Sequence, residues 1–511
     1  MKNKKVAMPL SEGSIAGVSP AERRGLGQSP IKKVAVLVMV VVMLVSYATP
    51  VYARQFTYTY NRWGVEMPSP DAYRVSAWIL GEHLGIGHFL NPQDLIVVGN
   101  RVYVADTGNH RIVVIEALED GSHEAVEVID NINGSRFSSP YGIFANDRGH
   151  RWIADTGNQR ILHVDENWNL ITEITRPPSP PSLLGPEDSF LPEKLAVDFT
   201  GRLFVQVRHV NRGLMEFDSN GVFAGYMGAA PVDISPADVF WRLISTQAQN
   251  ERRMLFVPTE YNNVTVDDEG FLFVTNTVAT TSDVDPIRRL NAMGDDVLIR
   301  NGLWDIEGDL WVGTAGHVSG PSNFIDVAPM PNETFIAFDR TRGRLFVYDF
   351  QGNLLFVFGG YGNREGNFRR PSAVSNMGYT LFALDSTTAA ITRFDLTDYG
   401  IALNRALELY RRGLYEDSVY YWQEVLRMNG NFGLAYIGIA RALLRQGYYR
   451  EAMNYFRQEG DREGYGRAFG FYRRQWMEDN FWIFVLVIGV LIVVPPVVKG
   501  VLKIRKEIRE A

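Results

Sequence analysis

Three carboxylate–guanidinium pairs, each spaced five residues apart, are the residues of this 511-residue chain whose types and spacing could do chemistry: Asp106 with Arg111, Asp155 with Arg160, and Asp339 with Arg344. Left open to solvent, such a pair could grip a carboxylate or phosphate through the guanidinium fork. Buried, it would hold a turn, the Asp accepting backbone N–H groups while the Arg neutralises it. The structural role is the stronger reading, because each Asp stands beside a tight turn and each Arg opens the apolar run that returns from it.

Little other reactive chemistry is legible. The chain has no cysteine, which removes thiol nucleophiles and thiolate metal sites, and it contains neither a G-x-S-x-G elbow nor a phosphate-binding P-loop. Its eight histidines are scattered, none in an H-x-x-x-H or H-E-x-x-H arrangement. His83 and His88 lie five apart, and His110 replaces Gln159 at a turn; both patterns read as surface or turn histidines before metal ligands. Asp267-Asp268-Glu269-Gly270 lacks the alternating oxygen spacing of a calcium loop and reads as a hairpin turn. No residue is assigned a catalytic role.

The pairs are positioned by a repeat. Ala105-Asp106-Thr107-Gly108-Asn109-His110-Arg111-Ile112 returns 49 residues later as Ala154-Asp155-Thr156-Gly157-Asn158-Gln159-Arg160-Ile161, with one change in eight positions. Self-similarity at roughly 40–50 residues, carried by short β-branched and aromatic runs, predicts a propeller of four-stranded blades. Full copies start at Pro92 and Pro140; looser ones follow Pro192, span residues 264–274 and 324–348, and follow Pro371, giving six blades. The stretches before Pro92 and Pro371 occupy equivalent slots, so a strand at residues 77–80 is expected to complete the sixth blade and close the ring. Residues 247–258 and 294–320 do not fit the period, and the strand-turn-strand look of residues 305–312 leaves a seventh blade open.

These residues resemble the NHL-repeat family, whose blades carry a Pro before the first strand, an Asp ending the second and an Arg five residues later. The resemblance covers about two thirds of the chain; blade six keeps Asp385 but has Ala390 at the Arg position. Propellers related in shape include lactonases and lyases that hold a metal in the central channel with ligands from several blades. The resemblance therefore leaves a channel divalent cation open, with Asp94, Asp198, Asp267 and Asp326 near the relevant strands.

Near residue 401 the composition turns to Ala, Leu, Arg and Tyr at helical spacing. Ala406, Gly413, Tyr415, Ser418 and Trp422 recur 34 residues later as Ala440, Gly447, Tyr449, Ala452 and Phe456. This period resembles tetratricopeptide repeats, with small residues where paired helices approach and large ones filling the gap. Residues 462–479 are expected to cap the two hairpins, docking onto the propeller or onto a second copy being the alternatives. Tyr420, Tyr421, Tyr436 and Tyr448 are candidate partner-binding aromatics, although half of such tyrosines should be repeat core.

Residues 481–498 form an uncharged apolar run long enough, at about 1.5 Å per residue, to cross a hydrocarbon core. The five cations of residues 499–511 place that end in the cytoplasm by the positive-inside rule. Lys32-Lys33, the apolar run 34–45 and the small residues before 53 read as a secretory signal, cleaved or retained as an anchor. The predicted organisation is a leader and signal at 1–53, an NHL-type propeller at 54–400, a tetratricopeptide-like domain at 401–480, a membrane helix at 481–498 and a basic cytoplasmic tail at 499–511.

The net charge of −7 divides into +5 over residues 1–53, +3 over 499–511 and −15 between them. That exterior disfavours nucleic acid and anionic polymers as ligands. An exported chain of this size without cysteine points to a bacterial envelope protein. The order of segments resembles membrane-anchored bacterial NHL-repeat proteins, some of which accompany carbohydrate transport systems. The expected role is a membrane-tethered extracytoplasmic binding scaffold, its propeller recognising a glycan or protein and its helices contacting a partner, with a transporter as one such partner. No cofactor is required by this reading; the alternative is a metal-dependent propeller enzyme of the lactonase or lyase type.

Overall fold

The computed structural model describes residues 57–118, 121–177, 189–210, 212–228, 260–276, 285–311 and 320–510. The expected signal at 34–53 and the leader before it lie outside these residues, as does the whole of the aperiodic stretch 247–258.

Six antiparallel sheets stand around a common axis, and their inner strands adjoin one another in chain order, from blade 1 through blade 6 and back to blade 1. Blade 1 is built from Asp94–Val98, Arg101–Asp106, Arg111–Ala117 and His123–Ile129. Blade 2 begins with Gly142–Ala145, blade 3 with Pro192–Val197, blade 4 with Tyr261–Val266, blade 5 with Phe324–Pro329 and blade 6 with Pro371–Met377. Val, Ile and Phe fill both faces of the inner and second strands, because each blade is covered by its neighbours, and side chains such as Val104, Ile153, Val205, Val274, Ile336 and Leu384 are fully buried. The outermost strands alternate instead, as in Leu170–Ile174, where every second residue meets solvent.

The ring closes as the repeat predicts. Tyr73–Leu80 pairs with Ala390–Leu396 as the fourth strand of blade 6, with Leu80 opposite Ala390 and Ala77 opposite Arg393. The seventh blade is not formed: among the described residues, 294–311 contain no strand beyond one isolated bridge between Leu290 and Asp296. Leu298, Trp304 and Leu310 from this stretch pack against the core of blade 5 instead, covering Tyr58 and Tyr60. Those two tyrosines belong to a hairpin, Tyr58–Tyr60 with Glu66–Pro68, that extends blade 5 to six strands.

Beyond the propeller run α1 (Asp398–Arg411), α2 (Tyr415–Met428), α3 (Gly433–Gln446), α4 (Tyr449–Glu459), α5 (Arg462–Asp479) and α6 (Phe481–Glu510). Thr397 caps α1 by accepting from Gly400 N at 3.3 Å, and Asp461 caps α5 by accepting from Gly464 N at 2.8 Å. The spacing read as small-against-large is realised: a Cβ on Gly438 would lie 2.6 Å from the Trp422 indole, so α3 can approach α2 only with glycine there. Ala440, Ala452 and Phe456 share a small core with Ala468 of α5, which makes residues 462–479 the cap of the second hairpin. The helices do not form a separate body. Tyr399, Leu403, Leu407, Trp422, Val425 and Ile439 lie in one continuous core with Phe356, Phe358 and Phe394 of blades 5 and 6.

α6 is the one described helix long and apolar enough to cross a membrane by length and composition. It continues through Pro495 and Pro496, which the sequence alone predicts to kink or fray its last turn.

Candidate functional site

The repeated octapeptide resolves into a turn in which every polar residue has a task. Asp106 is fully buried; its Oδ1 accepts from Leu90 N at 2.7 Å, and its Oδ2 from Arg111 Nε at 2.7 Å and Asn109 Nδ2 at 2.8 Å. Asp155 repeats the pattern with Ser138 N, Arg160 Nε and Asn158 Nδ2 at 2.7, 2.8 and 2.8 Å. Thr107 and Thr156 reach across to the next blade, donating to Pro140 O and Pro192 O at 2.7 and 2.6 Å. Gly108 is obligatory because a Cβ would stand 2.6 Å from Leu90 O. His110 and Gln159 both adopt left-handed backbone, at φ of 55° and 56°, and both accept a backbone N–H of the following blade. His110 therefore substitutes for Gln159 as an acceptor, and in both pairs the carboxylate is buried and bonded within the turn.

The third pair is not joined. Asp339 accepts from Asn323, Thr341 and Arg342 backbone N–H groups at 2.7, 2.9 and 3.0 Å. Arg344 lies opposite Asp339 in the ladder but turns to Asp309 at 2.8 Å and to the Tyr58 hydroxyl at 2.8 Å. The cause is the added hairpin: it brings Tyr58 over blade 5, and Asp309 follows, bonded to Tyr58 and also within 3.2 Å of Arg342 Nε. Blade 6 shows why Ala390 is tolerated. Asp385 collects four backbone donors, from Arg369, Arg370, Thr387 and Thr388, at 2.5–2.8 Å, and needs no guanidinium.

Of the four carboxylates considered for a channel ion, Asp94, Asp267 and Asp326 line the channel cavity and Asp198 does not. Asp198 and Asp267 are spent on hairpin turns, Asp198 with Thr200 and Arg202, Asp267 with Phe271 N and Arg289. Asp94 and Asp326 occupy the same position of their inner strands, each paired with the residue before the Asp that ends the second strand, Ala105 and Phe338. The equivalents in blades 2, 3, 4 and 6 are Gly142, Lys194, Asn263 and Ala373. Superposing the repeats in the sequence would have exposed this ring, which the search for local motifs missed.

Four polar members of the ring form a buried septum. Lys194 Nζ donates to Asp94 Oδ1 at 2.5 Å and to Gln93 O at 3.3 Å, while Asp94 Oδ2 accepts from Ile143 N at 2.9 Å. Asn263 Nδ2 donates to Asp326 Oδ1 at 2.5 Å, and Asp326 Oδ2 accepts from Val374 N at 2.8 Å. All six blades thus meet in one layer. The layer holds two carboxylates and one ammonium, which is paired with Asp94, so the Asp326 carboxylate has no cation bonded to it. Burial pushes both carboxyls up, Asp326 to about 7, with Lys194 pulling against the rise. Burial would lower the Lys194 ammonium, but the two carboxylates more than offset that and hold it above its ordinary range.

Below the septum lies a cavity of about 490 Å³, walled by Ile96, Phe144, Thr265, Ala328 and Ser375. It opens at the hairpin-turn end of the inner strands, beside Asn332 and Gly378 and beside Arg411 of α1, which pairs with Glu333. A divalent cation does not fit the septum. Lys194 Nζ already occupies the Asp94 oxygen that would turn to it, and Asn263 offers Asp326 its amide nitrogen. Among the described residues no three His, Asp or Glu side chains gather closely enough to hold a metal.

The candidate aromatics divide. Tyr420 and Tyr448 are exposed, at 61% and 55%, whereas Tyr421 packs against the shared core and Tyr436 is half-buried, its hydroxyl donating to Gly430 O at 3.2 Å.

The NHL repeat family model matches residues 89–115, the stretch holding the first inner strands and the first Asp–Arg turn. No curated protein matches the chain. Among solved structures, a catalytically inactive virginiamycin B lyase from Staphylococcus aureus with quinupristin is similar at 11% identity, over 60% of this chain and 80% of that one, with a TM-score of 0.36. A streptogramin B lyase gives 10% identity, 60% and 94% coverage and a TM-score of 0.37. A protein of unknown function from Bacteroides thetaiotaomicron gives 12% identity, 67% and 76% coverage and a TM-score of 0.40. Likeness at this level says nothing about activity.

Proposed function

We propose that this protein is a membrane-tethered extracytoplasmic recognition scaffold of a bacterial envelope. Its propeller takes a glycan or protein ligand, and its helical hairpins, of tetratricopeptide type, contact a partner beside a carbohydrate transport system. The observation that supports binding over catalysis is the channel: a cavity of about 490 Å³ ends on a septum whose polar atoms are committed to one another. That volume lies within the ~300–1,000 Å³ typical of small-ligand sites. No described nucleophile stands against a general base there, and Lys194 is tied to Asp94. Exposed Tyr420 and Tyr448 supply the aromatic surface that a partner would cover. The apolar helix and its cationic end support anchorage with the C-terminus in the cytoplasm.

The test uses the full chain in detergent. Its metal content is measured, and its thermal midpoint is scanned with sugars, calcium, zinc and a chelator. A ligand at 100 times its dissociation constant adds about 2.7 kcal/mol to the folded state. A sugar-dependent rise without bound metal supports the recognition reading. A stoichiometric ion, with lactone or lyase turnover that the chelator abolishes, would replace it with the enzyme alternative.

A further inference from the structure

Every cation that lines the channel cavity among the described residues is already bonded to a carboxylate. Lys194 pairs with Asp94, Arg289 with Asp267 and Glu269, and Arg411 with Glu333. Three lining carboxylates remain. Asp268 stands exposed at the mouth, and Asp349 closes a turn with Asn353 Nδ2 at 2.9 Å. Asp326 differs from both, because it lies in the floor, 4% exposed, with no ion-pair partner among the described residues. A buried carboxylate without a counter-ion is costly to ionise. Burial accordingly raises Asp326 to about 7, with Lys194 opposing the rise and Asp94 adding to it.

Asp326 keeps room for one more donor. Its Oδ1 accepts from Asn263 Nδ2 at 2.5 Å and from Val327 N at 2.8 Å, but its Oδ2 accepts from Val374 N alone, at 2.8 Å, where a carboxylate oxygen takes about two bonds. The wall beneath it is open on the same side. Two residues further along an inner strand the side chain returns to the channel face. Ala328 therefore lies below Asp326, flanked by Thr265 of blade 4 and Ser375 of blade 6. Below Asp94 and Gly142, on the far side of the ring, the same positions hold Ile96 and Phe144. One side of the cavity thus offers a carboxylate above two hydroxyls and a methyl, and the opposite side a large apolar surface.

We propose that the channel cavity binds a small protonated amine, its ammonium donating to the Asp326 carboxylate from the side lined by Thr265 and Ser375 while its body lies against Ile96 and Phe144. An ammonium is satisfied by single oxygens, whereas a divalent ion needs several oxygens freed from their present donors, so the arrangement that turns away a metal accepts an amine. Lys194 faces the same floor, but Asp94 neutralises it at bonded distance. Asp268 at the mouth has the same sign as Asp326, so the field along the cavity draws a cation inward. The proposal rests on the recognition reading above and names the ligand class of that site.

The experiment is calorimetric titration of the full chain in detergent with glucosamine and with glucose, its neutral counterpart, at pH 6 and fixed ionic strength. Glucosamine is expected to bind at least tenfold more tightly than glucose. Asp326→Asn, which keeps an oxygen for the Val374 N–H, should bring the two to equal strength. Glucosamine should also release a proton from the wild type, read as a dependence of the heat on the ionisation enthalpy of the buffer, because an ammonium at Asp326 forces its carboxyl to ionise. That readout decides the matter if the variant fails to fold. Equal binding of the two sugars to wild type, a preference that survives in Asp326→Asn, or binding without proton release overturns the proposal while leaving the recognition reading standing. Failure of both sugars to bind overturns the proposal, and a thermal midpoint unmoved by every sugar then removes the glycan reading with it.

Discussion

Asp155 and Asp339 occupy the same position of their repeats yet carry different loads. Asp155→Ala takes the buried acceptor from Arg160 Nε, Asn158 Nδ2 and Ser138 N, while the guanidinium keeps Ser135 and Glu173, a loss of about 1–3 kcal/mol in chemical denaturation. Arg344 and Arg342 instead depend on Asp309, so Asp309→Ala should cost more than Asp339→Ala, whose three lost donors are all backbone N–H groups beside a turn. The septum adds a pH dependence. Asp326 has its folded value raised to about 7 from 3.8, so the native state holds the extra proton between these values. Stability should therefore fall as pH rises across that window and level off above it. Lys194→Met removes the ammonium paired with Asp94, the one cation of the layer. Its melting midpoint should drop further below wild type at pH 8 than at pH 5.5; an equal drop at both would show that the carboxylates do not titrate together.

At the scale of elements, the N-terminal hairpin is a clasp held by polar anchors. Tyr58 and Tyr60 stack edge to face with centroids 5.5 Å apart, Trp304 Nε1 donates to Asn61 O at 3.2 Å, and Trp311 Nε1 to Gly64 O at 2.6 Å. Its ladder to Leu354–Gly359 is a single residue pair, Tyr58 opposite Val357, so side chains carry the attachment. Tyr58→Phe removes the hydroxyl that Asp309 and Arg344 share, at a cost of about 1–3 kcal/mol. Limited proteolysis should then cut between residues 57 and 68 faster than in wild type, with blades 1 to 3 unaffected. Unchanged cleavage would mean that apolar packing against Trp304 and Leu310 holds the clasp.

For the whole molecule, the shared core of blades 5 and 6 with α1 to α3 makes propeller and helices one cooperative unit. Trp422→Ala should lower stability by about 3–5 kcal/mol and shift a single transition, in fluorescence and in far-ultraviolet dichroism together. Two separated transitions would contradict that unity. A chain truncated before α1 would expose Phe358, Phe394 and Tyr73 and is expected to aggregate. This rigidity bears on function, because a ligand in the channel and a partner on the helices would meet the same body, joined also through Arg411 and Glu333 at the rim of the cavity.

The sequence by itself determined the repeat, the six blades, the closing strand at residues 77–80, the helical spacing and the apolar C-terminal helix. Each of these is written in periodicity, and periodicity is a local property of side chains on strands and helices. It also placed the Asp–Arg turns, because Asp106 and Arg111 are five residues apart and meet within one hairpin. What it could not settle depended on contacts between distant segments. Arg344 leaves Asp339 only because residues 57–68 return to blade 5 and bring Asp309 with them, 35 residues upstream of Arg344. The septum joins Asp94 to Lys194 across 100 positions and Asn263 to Asp326 across 63. Closure of the ring, which no local spacing encodes, is what brings those inner strands together.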